Sequence, residues 1–315
     1  MNEPREEPRR KVAADLRRQS QITSCPLTAG LCARAAGDVD AGGPLWHALR
    51  PHAHLPSDAV LPLRLAGAAH RLALAGDAPS YAAHLPTCGG DGDPDAAWRA
   101  LRDLAADGAL AAGLEHPVQT NEPGRRRALL PAFAAVHAAT GLPLRLLEVG
   151  ASAGLLLHRP EGIEVIARRG CDANPLDPRS WTDRLLLQSF VWASQVERFA
   201  NLTRALDEAA HDPATVDRAD AGEWVAAQLA GRREGRATVV FHSVVWQYLA
   251  LDTRREIDLA LERAARRASP CAPLAYVRFE PVGDHAETWL RTWPGGHDRL
   301  VARSGYHGQD LELAA

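Results

Sequence analysis

The sequence predicts an α/β fold: a doubly wound, mostly parallel sheet with a terminal antiparallel hairpin, preceded by a helical N-terminal layer. Three observations carry the prediction. Residues 1–140 are rich in alanine and leucine and hold only a handful of Val and Ile, whereas β-branched residues are roughly twice as dense from Leu144 onward. After Gly141, short apolar runs alternate with helical stretches, as in strand–helix–strand units that build a parallel sheet. The chain closes with "DRLVARS" and "QDLELA" around a "GYHG" turn, which reads as a hairpin. The expected division is a helical region over 1–140 and an α/β domain over 141–315.

Taken in order, the charged run "EPREEPRRK" is expected to be a solvated, frayed end. Helices follow over Arg10–Gln19, Pro26–Ala36, Leu63–Ala75 closing at Gly76, Pro94–Ala106, and Arg125–Thr140 closing at Gly141. "LRLLEV" is an apolar run bounded by "GLP" and "GASAG", hence a buried strand. "EVIARRGCD", "TVDRAD", "ATVVFHS" and "LAYVRFE" supply four more, and the final hairpin brings the expected sheet to seven. Helices over Asp183–Ala210, Glu223–Ala230 and Thr253–Ala268 separate them, the last opening on Thr253 and Glu256 as a capping box.

Composition narrows the function classes. With 315 residues, 46% of them hydrophobic, the chain can bury one large core or two modest ones. A net charge of -3 and a pI near 6.5 remove the electrostatic case for a nucleic-acid or anionic-membrane partner, leaving a small molecule or a protein as the expected substrate. Lys11 is the only lysine, so the many arginines reflect coding bias more than phosphate recognition. Cys25, Cys32, Cys88, Cys171 and Cys271 are odd in number and widely spaced, and no secretory or membrane-spanning run is present, so a reduced, cytoplasmic protein is expected. His47, His52 and His54 lack the partners of a metal site, and none is expected.

The stretch "LRLLEVGASAGLLL" admits two chemistries. "GASAG" matches the Gly-x-Ser-x-Gly elbow of a serine hydrolase, with Asp284 and His297 or His307 in the required order. It equally matches a small-residue turn, Gly150 to Gly154 with Ser152 at its centre, between a first strand and a helix N-terminus, with Asp172 closing the next strand. A hydrolase elbow needs several strands before it, and here it follows the first strong strand. The cofactor reading therefore leads. The spacing is not G-x-G-x-x-G, so the dinucleotide fingerprint is imperfect.

With "LLEVGASAG", "GCDANPLD", "RADAGEW" and "VVFHSVVWQYL" in this order, the second part resembles class I S-adenosylmethionine-dependent methyltransferases. Almost the whole chain also resembles the bacterial family known as domain of unknown function 2332, through "VQTNEPGRR", "LLEVGASAGL", "DANPLD" and "VVFHSVVWQYL". The resemblance implies a methyltransferase-like sheet and S-adenosylmethionine as cofactor. It implies that Glu148 holds the methionine amino group, Asp172 the ribose hydroxyls, and Asp220 the adenine. As plain structure, Asp172 is a turn former and Asp220 a helix cap.

Asn121 or Glu122 can cap the helix after "TNEPGRR"; as a functional reading, the segment folds over the strands' carboxyl ends, where Asn121 and Arg125 are expected at the cofactor, Arg125 meeting a ligand carboxylate. His242 ends the fourth strand, the edge that faces the ligand crevice in such sheets, and is the candidate proton acceptor, with Glu122 and Glu280 behind it. The expected activity is methyl transfer to an O or N nucleophile of a small molecule. The alternatives are a non-catalytic nucleoside-binding protein and the hydrolase.

Overall fold

A computed structural model describes residues 3–231 and 234–314. Its helices are α1 (Glu3–Ile22), α2 (Pro26–Asp40), α3 (Pro44–Leu49), α4 (Leu61–Ala75), α5 (Pro79–Ala82), α6 (Pro94–Ala106), α7 (Ala111–Leu114), α8 (Arg126–Thr140), α9 (Trp181–Ser189), α10 (Val196–His211), α11 (Ala221–Leu229) and α12 (Leu251–Ala265). The strands are β1 (Leu144–Val149), β2 (Val165–Asp172), β3 (Thr215–Arg218), β4 (Ala237–Ser243), β5 (Leu274–Val282), β6 (His285–Trp293), β7 (Asp298–Ser304) and β8 (Glu312–Leu313). Two compact units result: residues 1–120 with Trp181–Thr203, and Asn121–Ser180 with Arg204–Ala315.

The first unit is helical around a core that includes Leu16, Leu31, Val39, Leu45, Leu49, Leu65, Leu85 and Leu114. Its helix ends follow local chemistry. Asp93 caps α6 by accepting from Asp95 N and Ala96 N, and Gly76 closes α4 at a φ of 84° that favours glycine. The charged N-terminus is not frayed throughout, because α1 already starts at Glu3; residues 1 and 2 lie outside the described residues. The single helix expected over Asp183–Ala210 is broken between α9 and α10. No Pro or Gly stands in "FVWASQ" to break it. Tertiary bonds do so instead: the carbonyl of Ser189 meets His70 Nδ1 at 3.1 Å, and that of Ala193 accepts from Thr87 N at 2.9 Å.

His70 is buried, its other ring nitrogen paired with Thr87 Oγ1 at 2.8 Å, and burial lowers its pKa to about 4. The neutral ring therefore contributes stability that is present above pH ~6.5 and is lost as pH falls towards 4, up to about 3 kcal/mol. Urea midpoints at pH 7 and pH 4 should show a smaller acid loss in His70→Gln than in the wild type. Equal losses would contradict the assignment.

The second unit is one eight-stranded sheet in the order β3-β2-β1-β4-β5-β6-β7-β8. β3, β2, β1, β4 and β5 are parallel, and β6, β7 and β8 continue antiparallel. All six residues of β1 are buried, as a central strand covered on both faces requires. Phe133 of α8 packs edge-on against Phe241 of β4, centroids 5.1 Å apart, on one face. Trp224 of α11 and Ile257 and Leu261 of α12 join Leu147, Val240 and Tyr276 on the other. Helix α8, expected with the N-terminal helices, thus belongs to the sheet.

Three further expectations are corrected. The sheet has eight strands because β6, "HAETWLRTW", buries Ala286, Thr288 and Leu290 while its alternate residues are polar or aromatic. No α-helix follows the glycine turn, since Leu155–Leu157 form a 3₁₀ turn and the chain then goes straight into β2. Thr253 caps nothing at α12; its hydroxyl donates to Asp220 Oδ2 at 3.0 Å.

Candidate functional site

In an open parallel sheet the ligand crevice lies at the carboxyl ends of the strands, where strand order reverses. Here that point falls between β1 and β4. Register sorts the candidates by face. Glu148 pairs with Phe241 and Val149 with His242, so Glu148 shares the α8 face with Phe241, while His242 projects from the α11–α12 face.

On the α8 face the structure gathers Asn121, Arg125, Glu148, Ser152 and Asp172. The Asn121 amide donates to Ala151 O at 2.8 Å and its carbonyl accepts from Leu155 N at 3.0 Å, so Asn121 clamps the turn instead of capping α8. Asp172 accepts from Ser152 N and Asn174 N, one per oxygen, both at 2.8 Å. Half-buried, it keeps lone pairs for further donors. Arg125 donates to the carbonyl and hydroxyl of Ser243 at 3.2 and 3.3 Å and to Tyr306 O at 3.0 Å.

Glu148 is 1% exposed, and its Oε2 has no hydrogen-bond partner among the described residues. Burial, and next the Asp172 carboxylate, push its pKa well above the usual range, against the opposing pull of Arg125 and Arg126. A raised carboxyl pKa favours folding fully below about pH 4.3, and that contribution is lost as pH rises through the folded value. Glu148→Gln should therefore raise the Tm at pH 8 relative to the wild type, with the difference vanishing near pH 4. Scanning calorimetry across that range checks it, and a deficit for Glu148→Gln at pH 8 would refute it.

The turn differs from the expected cradle of free amides. Gly150 N and Ala151 N donate to Cys171 O at 2.9 and 3.0 Å, Gly154 N to Ala151 O at 2.7 Å, and Ser152 N to Asp172. With those donors spent and no α-helix behind the turn, it lacks the means to hold a pyrophosphate. A phosphate-free nucleoside ligand remains compatible. Gly150 itself sits at φ 72°, and a Cβ there would come within 2.5 Å of Val245 Cγ2. Val244 holds a φ of 51°, which is strained for a β-branched residue and turns Val245 over Gly150.

Asp220 caps α11, accepting from Gly222 N and Glu223 N through Oδ1 and from Thr253 through Oδ2. His242 is buried with both ring nitrogens engaged, Nδ1 with Glu280 Oε1 at 2.6 Å and Nε2 with Tyr276 Oη at 2.9 Å, and it stacks on Trp246 at 5.1 Å. The residues of the hydrolase alternative are dispersed over other pairs: Asp284 bonds to His285, and His307 stands 3.6 Å from Glu122. Ser152 is itself buried. Sequence reading missed Tyr276 as a partner of His242, although Tyr276, Arg278 and Glu280 alternate on one face of β5.

A family described as an uncharacterized protein conserved in bacteria, DUF2332, matches residues 13–161 and 158–312. The chain belongs to that family. No curated protein and no solved structure matched it. Among the described residues, no helix is long and apolar enough to cross a membrane.

Proposed function

We propose that this DUF2332 member binds S-adenosylmethionine at the carboxyl ends of β1 and β2 and methylates an O or N nucleophile of a small molecule. The observation that carries the reading is the buried Oε2 of Glu148, an acceptor without a donor at the strand end. Leaving such an acceptor unmet costs about 1–3 kcal/mol, and an amino-acid ammonium would meet it. The residues present therefore fit the group. Glu148 would take the ammonium, Asp172 the ribose hydroxyls through its remaining lone pairs, and Arg125 the carboxylate, while Asn121 keeps the turn in shape. The cofactor, when bound, supplies a methyl group already made electrophilic by sulfonium.

The protein must then align an acceptor and remove its proton. His242 is poorly placed for that, since it faces away from Glu148 with both nitrogens engaged. We assign the proton to Glu122, which is buried next to Asn121 with His307 alongside. The position of His242 also favours a second reading, a protein that binds an adenosyl ligand without turnover. Incubation with S-adenosylmethionine and a panel of amines and hydroxy acids separates the two. Acceptor-dependent release of S-adenosylhomocysteine is the expected result; binding with no release across the panel supports the second reading.

A further inference from the structure

On the α11–α12 face, the sheet leaves an open pocket of about 600 Å3 whose lining includes Trp246, Tyr276, Trp289, Asp258, Glu280 and Asp298. We propose that this pocket is a second binding site, for an organic cation bearing an amine or guanidinium group. It lies across the sheet from Glu148 and is independent of the adenosyl reading.

Three observations point to positive charge. Carboxylates outnumber basic groups in the lining, with Asp258, Glu280, Glu287 and Asp298 against Arg278 and His242. Glu280 and Glu287 stand directly opposite each other on β5 and β6, a like-charge pair that destabilises an antiparallel sheet unless a cation relieves it. Glu280 gathers His242, Val245 N and Trp246 N on Oε1 alone, leaving Oε2 for another donor. Glu287 is paired with Arg303, Asp298 with Arg278 and Glu280 with His242, which leaves Asp258 as the lining carboxylate with no ion pair among the described residues.

The aromatic residues give the second half of the recognition. The Arg278 guanidinium already lies over the Tyr276 ring, 5.5 Å from its centroid, so the wall holds one such cation in place. Trp246 and Trp289 offer further ring surface in the same lining. Partial burial and the nearby Glu262 raise the Asp258 carboxyl pKa, against the weaker opposing pull of Arg278 and His242.

Agmatine, which carries both head groups, is the probe, titrated calorimetrically at low ionic strength with no adenosyl compound present. Failure of this test therefore leaves the cofactor proposal standing, and the reverse also holds. Binding to the wild type is expected, weakened about fivefold or more in Asp258→Asn. Asp252→Asn, on the same helix but outside the lining, should bind like the wild type. No heat at millimolar agmatine, an unchanged affinity in Asp258→Asn, or an equal loss in Asp252→Asn would each overturn the proposal. Thermal melts of both variants show that any loss is not unfolding.

Discussion

Gly150→Val is expected to lower the stability of the sheet unit by about 2–5 kcal/mol and to abolish ligand binding with it. Two costs combine. The left-handed φ of 72° is unfavourable for any residue with a Cβ and most so for a branched one, and that Cβ would lie 2.5 Å from Val245 Cγ2. The loop carrying Val245 has little room to yield, because Val244 N is tied to Phe279 O at 2.8 Å and Val245 N and Trp246 N to Glu280. Ser152→Ala, at φ 51° in the same turn, exchanges one small residue for another and is expected to cost no more than about 1 kcal/mol. Denaturant unfolding followed by circular dichroism compares them. If Ser152→Ala removed an esterase activity while the fold stayed intact, the hydrolase would replace the cofactor site.

Asp172→Ala should weaken binding of S-adenosylmethionine roughly ten- to hundredfold. In the proposed complex Asp172 would accept two ribose hydrogen bonds, and water would recover part of what its removal loses. The structure adds a second source of loss, since the same carboxylate holds Ser152 N and Asn174 N and so keeps the turn closed. Asp172→Asn retains one acceptor oxygen and should fall between the two. Competition calorimetry, with Tm measured alongside, separates lost contacts from a loosened turn; equal affinity in Asp172→Ala and the wild type would remove Asp172 from the site.

Much of the sheet was legible because its strands are bounded by local signals. "LRLLEV" lies between a Pro turn and a glycine turn, and "ATVVFHS" and "LAYVRFE" are dense in β-branched and aromatic residues. β6 escaped because its buried face holds only Ala286, Thr288 and Leu290, alternating with the charged Glu287 and Arg291, and because just two residues, Gly283 and Asp284, separate it from β5. The break between α9 and α10 escaped for a different reason: the bonds that divert the Ser189 and Ala193 carbonyls come from residues more than a hundred positions away in sequence, which periodicity does not contain.

At the candidate site, Glu148 and Asp172 were legible from their places at the ends of two adjacent strands, and Asn121 from its polar stretch before α8. The face on which His242 projects was not. It depends on the pairing of Val149 with His242, and a shift of one residue would reverse it. That the turn amides are already spent on Cys171 and Asp172 was equally hidden, since it follows from how closely β2 ends beside the turn.

An adenosyl amino acid is the ligand proposed for the strand ends of β1 and β2. Calorimetric titration of the wild-type protein with S-adenosylmethionine and S-adenosylhomocysteine, paired with a thermal-shift measurement, tests it most directly. Saturable heat and a raised Tm with both ligands are predicted; neither heat nor shift with either ligand at millimolar concentration would contradict it.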